Sequence, residues 1–441
     1  MVEKIRPVWA WLPGAVTPTE CGTFTWSPGL GRFAYSEEYR ARSDANAIDP
    51  INLPFTRSTK PTTTTQMNGV FGVIRDAAPE GFGLDLLIAK HGQRDLDEVE
   101  RMDLSAGDGV GGIEVCPAQE IDRKQSFTPP REEDLRALLI DAGQDESITG
   151  VVRQLAGDDD GTSLGGEKPK LTVSCAAADG TEWWIAKLQA RNSPRLLPAR
   201  EYVAMKLAAR CGLDVAEVRF ERIGLHTVVW VKRFDRKVVQ GGVERSLFAS
   251  AASVLRLDND TREHPDRSYP KLAYELRRWC GDRHQGFAAQ QRELWRRMVF
   301  NALVGNYDDH PRNHGLLHSG GTWSLSPAYD IVAMPGTPLV QAMAVNRSGT
   351  RVASPETLVV DAPSFSYEHA EAWDKLREMA AIVNASWRAL YDEHCEVSGE
   401  EQERQRPAFQ LAEAVDAGSA TLDPAGFIGR RNRRAGGSTQ H

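Results

Sequence analysis

The sequence predicts an α+β architecture in two lobes, and three observations lead there. Up to about residue 236 the chain is mostly a series of short apolar runs broken by Gly and Pro, the pattern of strands and tight turns. Beyond it apolar residues recur at helical spacing, as in RELWRRMVFNALVGN at 292–306, the mark of helices with one buried face. The densest polar cluster, GNYDDHPRNHGLL at 305–317, falls where that helix ends.

Taken in order, VWAWLPG, GTFTW and GRFAYS read as short strands, and PTTTT at 61–65 as a loop. GVFGVIRDAAPEGFGLDLLIAKHG suggests a turn and then an amphipathic helix, with Leu84, Leu87 and Ile88 on one face. GDGVGGIEV at 107–115 reads as a glycine turn entering a strand; it lacks the strand–turn–helix context of a dinucleotide fingerprint. SFTPPREEDLRALLIDA opens a helix with Pro and acidic residues. The glycine loop GTSLGGEKPKLTVS (161–174) and WWIAKLQA (183–190) lead to the helix AREYVAMKLAARCGL (199–213), closed by Gly212. Two strands joined by a turn follow in VRFERIGLHTVVWVKRFDR (218–236), and the rest is expected to be mainly helical. In 292–306 the stripe is Leu294, Trp295, Met298, Val299, Ala302 and Leu303, ending at Gly305.

Composition narrows the function classes. A chain of 441 residues has room for roughly three domain-sized units. Its six cysteines are scattered without a CxxC, which opposes a zinc ribbon or disulfide framework and fits a reducing cytoplasm. No run approaches the roughly 20 apolar residues of a membrane span, and the start has no signal-peptide core. A net charge of −8 opposes direct binding to nucleic acid. The basic stretch GRRNRRAGG at 429–437 is the exception and reads as a solvated, disordered tail.

The cluster at 305–317 admits several chemistries. His310 and His314 stand four apart, as helical zinc ligands do, but Pro311 lies between them and no HExxH is present. A Ser–His–Asp hydrolase needs an activated serine, which the cluster lacks. A polar loop capping the next element is the plainest alternative. A phosphoryl-transfer loop makes the sharpest demand: an Asp for the substrate hydroxyl and, at D-x-x-x-x-N spacing, an Asn for Mg2+. Asp308 and Asn313 meet it, and Asp309 is one residue late. A second magnesium-binding Asp is then due after the next strands, where LSPAYDIV supplies Asp330 without the Phe and Gly of DFG. Upstream, Lys187 ends an apolar stretch resembling the kinase V-A-I-K strand, and Glu201 opens a helix from which it can pair with that lysine. The glycine loop departs from a Walker A motif, because Glu167 follows Gly161-x4-Gly166.

In sequence order TSLGGEKPK, WIAKL, AREYVAMKLA, VKRFDR, GNYDDHPRNHGLL and LSPAYDIV resemble the HipA-type serine/threonine kinases, toxins of bacterial toxin–antitoxin pairs. VIRDAAPEGFG and GDGVGGIE look like that family's amino-terminal subdomain. The resemblance implies a two-lobed protein-kinase-like fold: an N-terminal mixed α/β subdomain (1–125), a small-lobe-like region with the phosphate loop (126–236), a mainly helical catalytic lobe (237–424) and the basic tail (425–441). It implies ATP and Mg2+ as cofactors, with Asp308 as catalytic base and Asn313 and Asp330 holding the metal. Gly165, Gly166, Glu167, Lys168, Pro169 and Lys170 would form the phosphate loop, with Lys187 on the phosphates. Lys232, Arg233 and Phe234 would border the adenine, and His310 would lie on the phosphate side. Ser163 falls where these kinases autophosphorylate, a modification that disorders the loop and switches the enzyme off. The family often carries Glu at the position of Lys232 and Gln at that of Lys168. Implied partners are a protein substrate of the aminoacyl-tRNA synthetase type and a helix-turn-helix antitoxin, with operator DNA reached mainly through the antitoxin and no membrane. A small-molecule kinase on the same fold and a catalytically inactive antitoxin-binding module are the alternatives.

Overall fold

The computed structural model describes residues 3–56, 60–92, 95–142, 148–156, 169–190, 193, 196–258, 261, 263–281, 286–336 and 340–418. The expected short strands form at the start: β1 (Lys4–Ala10), β2 (Thr19–Ser27) and β3 (Leu30–Tyr35). With β4 (Thr62–Thr64) and β5 (Ile113–Val115) they make an antiparallel sheet in the order β4-β3-β2-β1-β5. Alternation sets the buried face, as β2 places Gly22, Phe24 and Trp26 inward at period two. PTTTT, expected as a loop, instead gives an edge strand: its threonines pair with Gly31, Arg32 and Phe33. β-branched residues suit that ladder once a partner strand is present.

A second antiparallel sheet contains β6 (Lys170–Ala177), β7 (Gly180–Ala190), β8 (Val218–Ile223) and β9 (His226–Lys232), in the order β6-β7-β9-β8. Helix Leu197–Arg210 connects β7 to β8. The sheet buries Val173, Trp184, Ala186 and Trp230 against Leu135 and Leu139 of helix Glu132–Asp141 and against Phe82 and Leu86 of helix Phe82–His91. The last helix was expected to bury Leu84, Leu87 and Ile88. It buries Phe82, Leu86 and Leu87, leaving Leu84 and Ile88 half-buried, because Phe82 and Leu86, four apart, lie under the sheet.

Beyond residue 236 the chain is less purely helical than its periodicity suggests. Here β10 (Arg236–Val239) and β11 (Gly242–Arg245) form a hairpin, and β12 (Leu247–Ser250), β13 (Gly315–Ser319) and β14 (Thr322–Leu325) form a three-stranded sheet. Strands of four or five residues are too short for alternation to announce them. The helices Tyr269–Cys280, Gly286–Leu303 and His369–Cys395 supply the rest of the lobe. All six stripe residues from Leu294 to Leu303 are fully buried, and the chain leaves that helix through Gly305 at φ +63°, a left-handed turn that glycine adopts without strain. One apolar cluster runs from Phe24 and Phe71 of the N-terminal region to Leu272, Trp295 and Trp387 of the helical lobe, so these two regions share a core.

All six cysteines are free and buried. Burial raises the thiols of Cys116 to about 11 and of Cys175, Cys211, Cys280 and Cys395 to about 12, and thiolate is the reactive form. Folded protein at pH 8 is therefore expected to react negligibly with Ellman's reagent over minutes, and denatured protein to titrate six thiols. Rapid reaction of one or more thiols before unfolding would contradict this packing. Among the described residues no helix is long and apolar enough to cross a membrane.

Candidate active site

The second sheet, the helix behind it and the segment after β14 converge on one side chain. Lys187 on β7 places its ammonium 2.5 Å from Glu201 Oε1 and 2.6 Å from Asp330 Oδ1. Helix Leu197–Arg210 carries Glu201, which is 2% exposed. Burial opposes the charge on Lys187, but the carboxylates of Asp330 and Glu201 outweigh it, and the pKa lies above that of a free lysine. The expected Lys–Glu pair is therefore present, with Asp330 as a third member.

Asp330 sits five residues past β14, in a segment tied to the small lobe. Ala328 donates to Asp214 O at 2.8 Å, and Ala216 donates back to Ala328 O at 2.9 Å. Asp330 itself has φ +58°, a left-handed conformation costing a non-glycine residue about 1–2 kcal/mol. The surrounding contacts therefore hold its carboxylate where a relaxed strand would not.

The cluster at 305–317 separates its two aspartates by environment. Asp309 is buried and hydrogen-bonded to His314 Nε2 at 2.8 Å and to the Tyr269 hydroxyl; it is a structural anchor. Asp308 is exposed. Its carbonyl accepts from the His310 amide at 2.7 Å and from Asn313 Nδ2 at 3.2 Å, so the turn Pro311–Asn313 closes back on it. His310 caps that turn, and its buried Nδ1 has no hydrogen-bond partner among the described residues. With His314 committed to Asp309, the two histidines are in different surroundings and do not form the pair a shared zinc would need.

The remaining candidates divide. Pro169 accepts from Leu188 N at 3.3 Å, and Lys170 pairs in register with Lys187, so the end of the glycine loop runs beside the lysine strand. Gly165, Gly166, Glu167, Lys168 and Ser163 lie outside the described residues. Lys232 is ion-paired with Glu182 at 2.5 Å and Glu217 at 3.4 Å. Phe234 is half-buried, with its ring 5.4 Å from that of Tyr329.

The side chain of Arg233 packs inward. It is 1% exposed and bound to both oxygens of Asp235, to Asp108 O at 2.7 Å and to Gly109 O at 3.0 Å. The guanidinium is thus a buried tie to the loop 107–112, and only the backbone of Arg233 is left for a ligand. Arg236 joins the same tie through Gly111 O at 2.7 Å and Gly109 O at 2.5 Å. A buried charge persists when paired and hydrogen-bonded, and here Asp235 is ion-paired with both guanidiniums.

Two contacts were not foreseen. The Tyr329 hydroxyl donates to Arg312 O at 2.7 Å, joining the Asp330 segment to the 308–313 loop. The Arg312 side chain is ion-paired with Glu80 of the N-terminal region. The only sequence signal was an arginine lodged between Asp308 and Asn313.

Residues 162–396 match the family model of the HipA-like C-terminal domain, and residues 15–116 match that of the HipA N-terminal domain. The chain belongs to the HipA family. Similar relatives include Y4dM of Sinorhizobium fredii, 27% identical over 57% of this chain and 60% of that protein. The serine/threonine-protein kinase toxin HipA of Shewanella oneidensis is 25% identical over 58% of this chain and 61% of its own length. The chain thus aligns with about three fifths of each of these two curated relatives. The HipA fold itself extends further: the Shewanella oneidensis HipA, solved with HipB and operator DNA, superposes over 95% of this chain and all of that one, with a TM-score of 0.68 at 16% identity. The two-lobed, kinase-like α+β fold of the family is therefore the fold of this chain.

Proposed function

We propose that the chain is an ATP- and Mg2+-dependent protein serine/threonine kinase of the HipA toxin kind. The observation that carries this reading is Lys187 held between Glu201 and Asp330, with the Asp330 segment joined through Tyr329 to a loop that exposes Asp308 and folds Asn313 against it. The donor set fits the cofactor: a carboxylate and an amide oxygen are hard ligands suited to Mg2+, and the ammonium suits phosphate. When bound, Mg2+ would neutralise charge on the transferring phosphoryl group.

In this reading Asp308 orients the substrate hydroxyl and takes its proton, while Asn313 and Asp330 hold the metal. Lys187, aligned by Glu201, contacts the phosphates, with Gly165 to Lys170 as the phosphate loop and His310 nearby. Lys232, the Arg233 backbone and Phe234 line the adenine side. Phosphoryl transfer asks the protein for positioning and charge stabilisation more than for covalent chemistry, and these residues offer both. Ser163 is the proposed autophosphorylation site. The proposed partners are a protein substrate, of the aminoacyl-tRNA synthetase type, and a helix-turn-helix antitoxin. The antitoxin would carry most of the contact with operator DNA, as the net charge of −8 favours.

Incubating the purified chain with Mg2+ and γ-labelled ATP tests the reading. We expect label on protein, and phosphopeptide mass spectrometry to place part of it on Ser163. Absence of phosphate at Ser163 with label elsewhere removes the self-modification proposal and leaves the kinase; absence of ATP turnover and of any protein label removes both.

A further inference from the structure

The helix Gly72–Asp76 and the residues up to Glu80 belong to the N-terminal region, yet they reach the 308–313 loop directly at Arg312 and, through Ser250, the residue that follows that loop. On one side Glu80 is ion-paired with Arg312 and also lies 3.1 Å from Arg75 Nη2. On the other side Asp76 accepts hydrogen bonds from Ser250 N and Oγ, both at 2.7 Å, and from Ser253 Oγ at 2.8 Å. Ser250 caps the short helix Ala251–Val254, whose first amide donates to His314 O at 2.8 Å. The approach is close: a Cβ on Gly72 would lie 2.6 Å from the Ser253 side chain. Arg312 and His314 are the residues immediately before and after Asn313, so both flanks of the metal-ligand candidate are tied to the same segment. The Arg312 carbonyl is in turn held by Tyr329, next to Asp330.

We infer that Glu80 is a positioning residue for phosphoryl transfer, acting through Arg312 to set the loop that carries Asp308 and Asn313. The N-terminal region is then a structural part of the active site. This inference rests on the kinase reading above. The pair is only about three-quarters buried, with 25% and 26% of the two side chains exposed, and partly exposed ion pairs stabilise a fold little. Its consequence is geometric: small misplacements of a base or metal ligand can slow transfer on the order of 10²-fold.

The test uses the full chain, Mg·ATP as the probe, and the variants Glu80→Gln, Arg312→Gln and the exchange Glu80→Arg with Arg312→Glu. In Glu80→Gln and Arg312→Gln we expect the turnover rate of ADP release to fall about tenfold or more. Mg·ATP affinity by calorimetry should stay within about twofold and the melting temperature should change little. The exchange variant should recover part of the rate. Hydrogen exchange of the backbone over 305–316 should quicken in the single variants and slow again in the exchange variant. Rates within about twofold of wild type, or a loss of rate matched by equal loss of ATP affinity without faster exchange, would overturn the inference while leaving the kinase reading intact. If the wild-type chain turns over no ATP, the kinase reading fails separately, and unchanged exchange over 305–316 then overturns the positioning role as well.

Discussion

Asp308→Asn is expected to reduce phosphoryl transfer about 10²- to 10⁴-fold, the range lost when a positioned general base is removed. The side chain is exposed, and the loop's hydrogen bonds run through the Asp308 carbonyl, which the substitution leaves in place. Unfolding by urea should therefore give a midpoint close to that of the wild type, and Mg·ATP affinity should persist. The neighbouring Asp309→Asn serves as the contrast. It disturbs the buried contacts with His314 and Tyr269, so its primary effect falls on stability. Label incorporation close to wild type in Asp308→Asn would remove Asp308 from the mechanism.

Lys187→Met is expected to damage both activity and stability. The lysine is the cation between Glu201, with 3% of its side chain exposed, and Asp330, with 33% exposed. Methionine fills similar volume but leaves the buried Glu201 carboxylate without this counter-charge. Breaking one partner out of a buried pair costs about 3–5 kcal/mol, less any relaxation toward the partly exposed Asp330. Equilibrium urea unfolding measures this directly, and the denaturation midpoint should drop clearly. ATP turnover should fall by at least about 10²-fold through loss of a charge on the phosphates. A variant of unchanged stability would show that the Lys187–Glu201 pair is not formed in solution.

Much of the candidate site was legible because its chemistry depends on local spacing. The five-residue step from Asp308 to Asn313 survives any detail of packing, and so does the order of Lys187, Glu201, the 308–313 loop and Asp330 along the chain. The long helix before Gly305 was equally plain, since six apolar residues at helical spacing admit one buried face. Less legible was the span from 236 to 325, where strands of four or five residues carry too few positions for a period to emerge. Thr62–Thr64 became a strand only because β3 offered an edge to pair with.

Sequence alone suffices for the two-lobed α+β class, for the order of Lys187, Glu201, Asp308, Asn313 and Asp330 along the chain, and for the difference in spacing that favours Asp308 over Asp309. The fold alone makes Asp309 a buried anchor, ties Arg233 to the 107–112 loop, and brings Glu80 to Arg312 and Asp76 to Ser250. The reason is physical. Spacing encodes what one segment can do, whereas burial and ion pairing are set by which distant segments meet; Glu80 and Arg312 are more than 230 residues apart in sequence and share an ion pair only because the fold closes the N-terminal region onto the helical lobe.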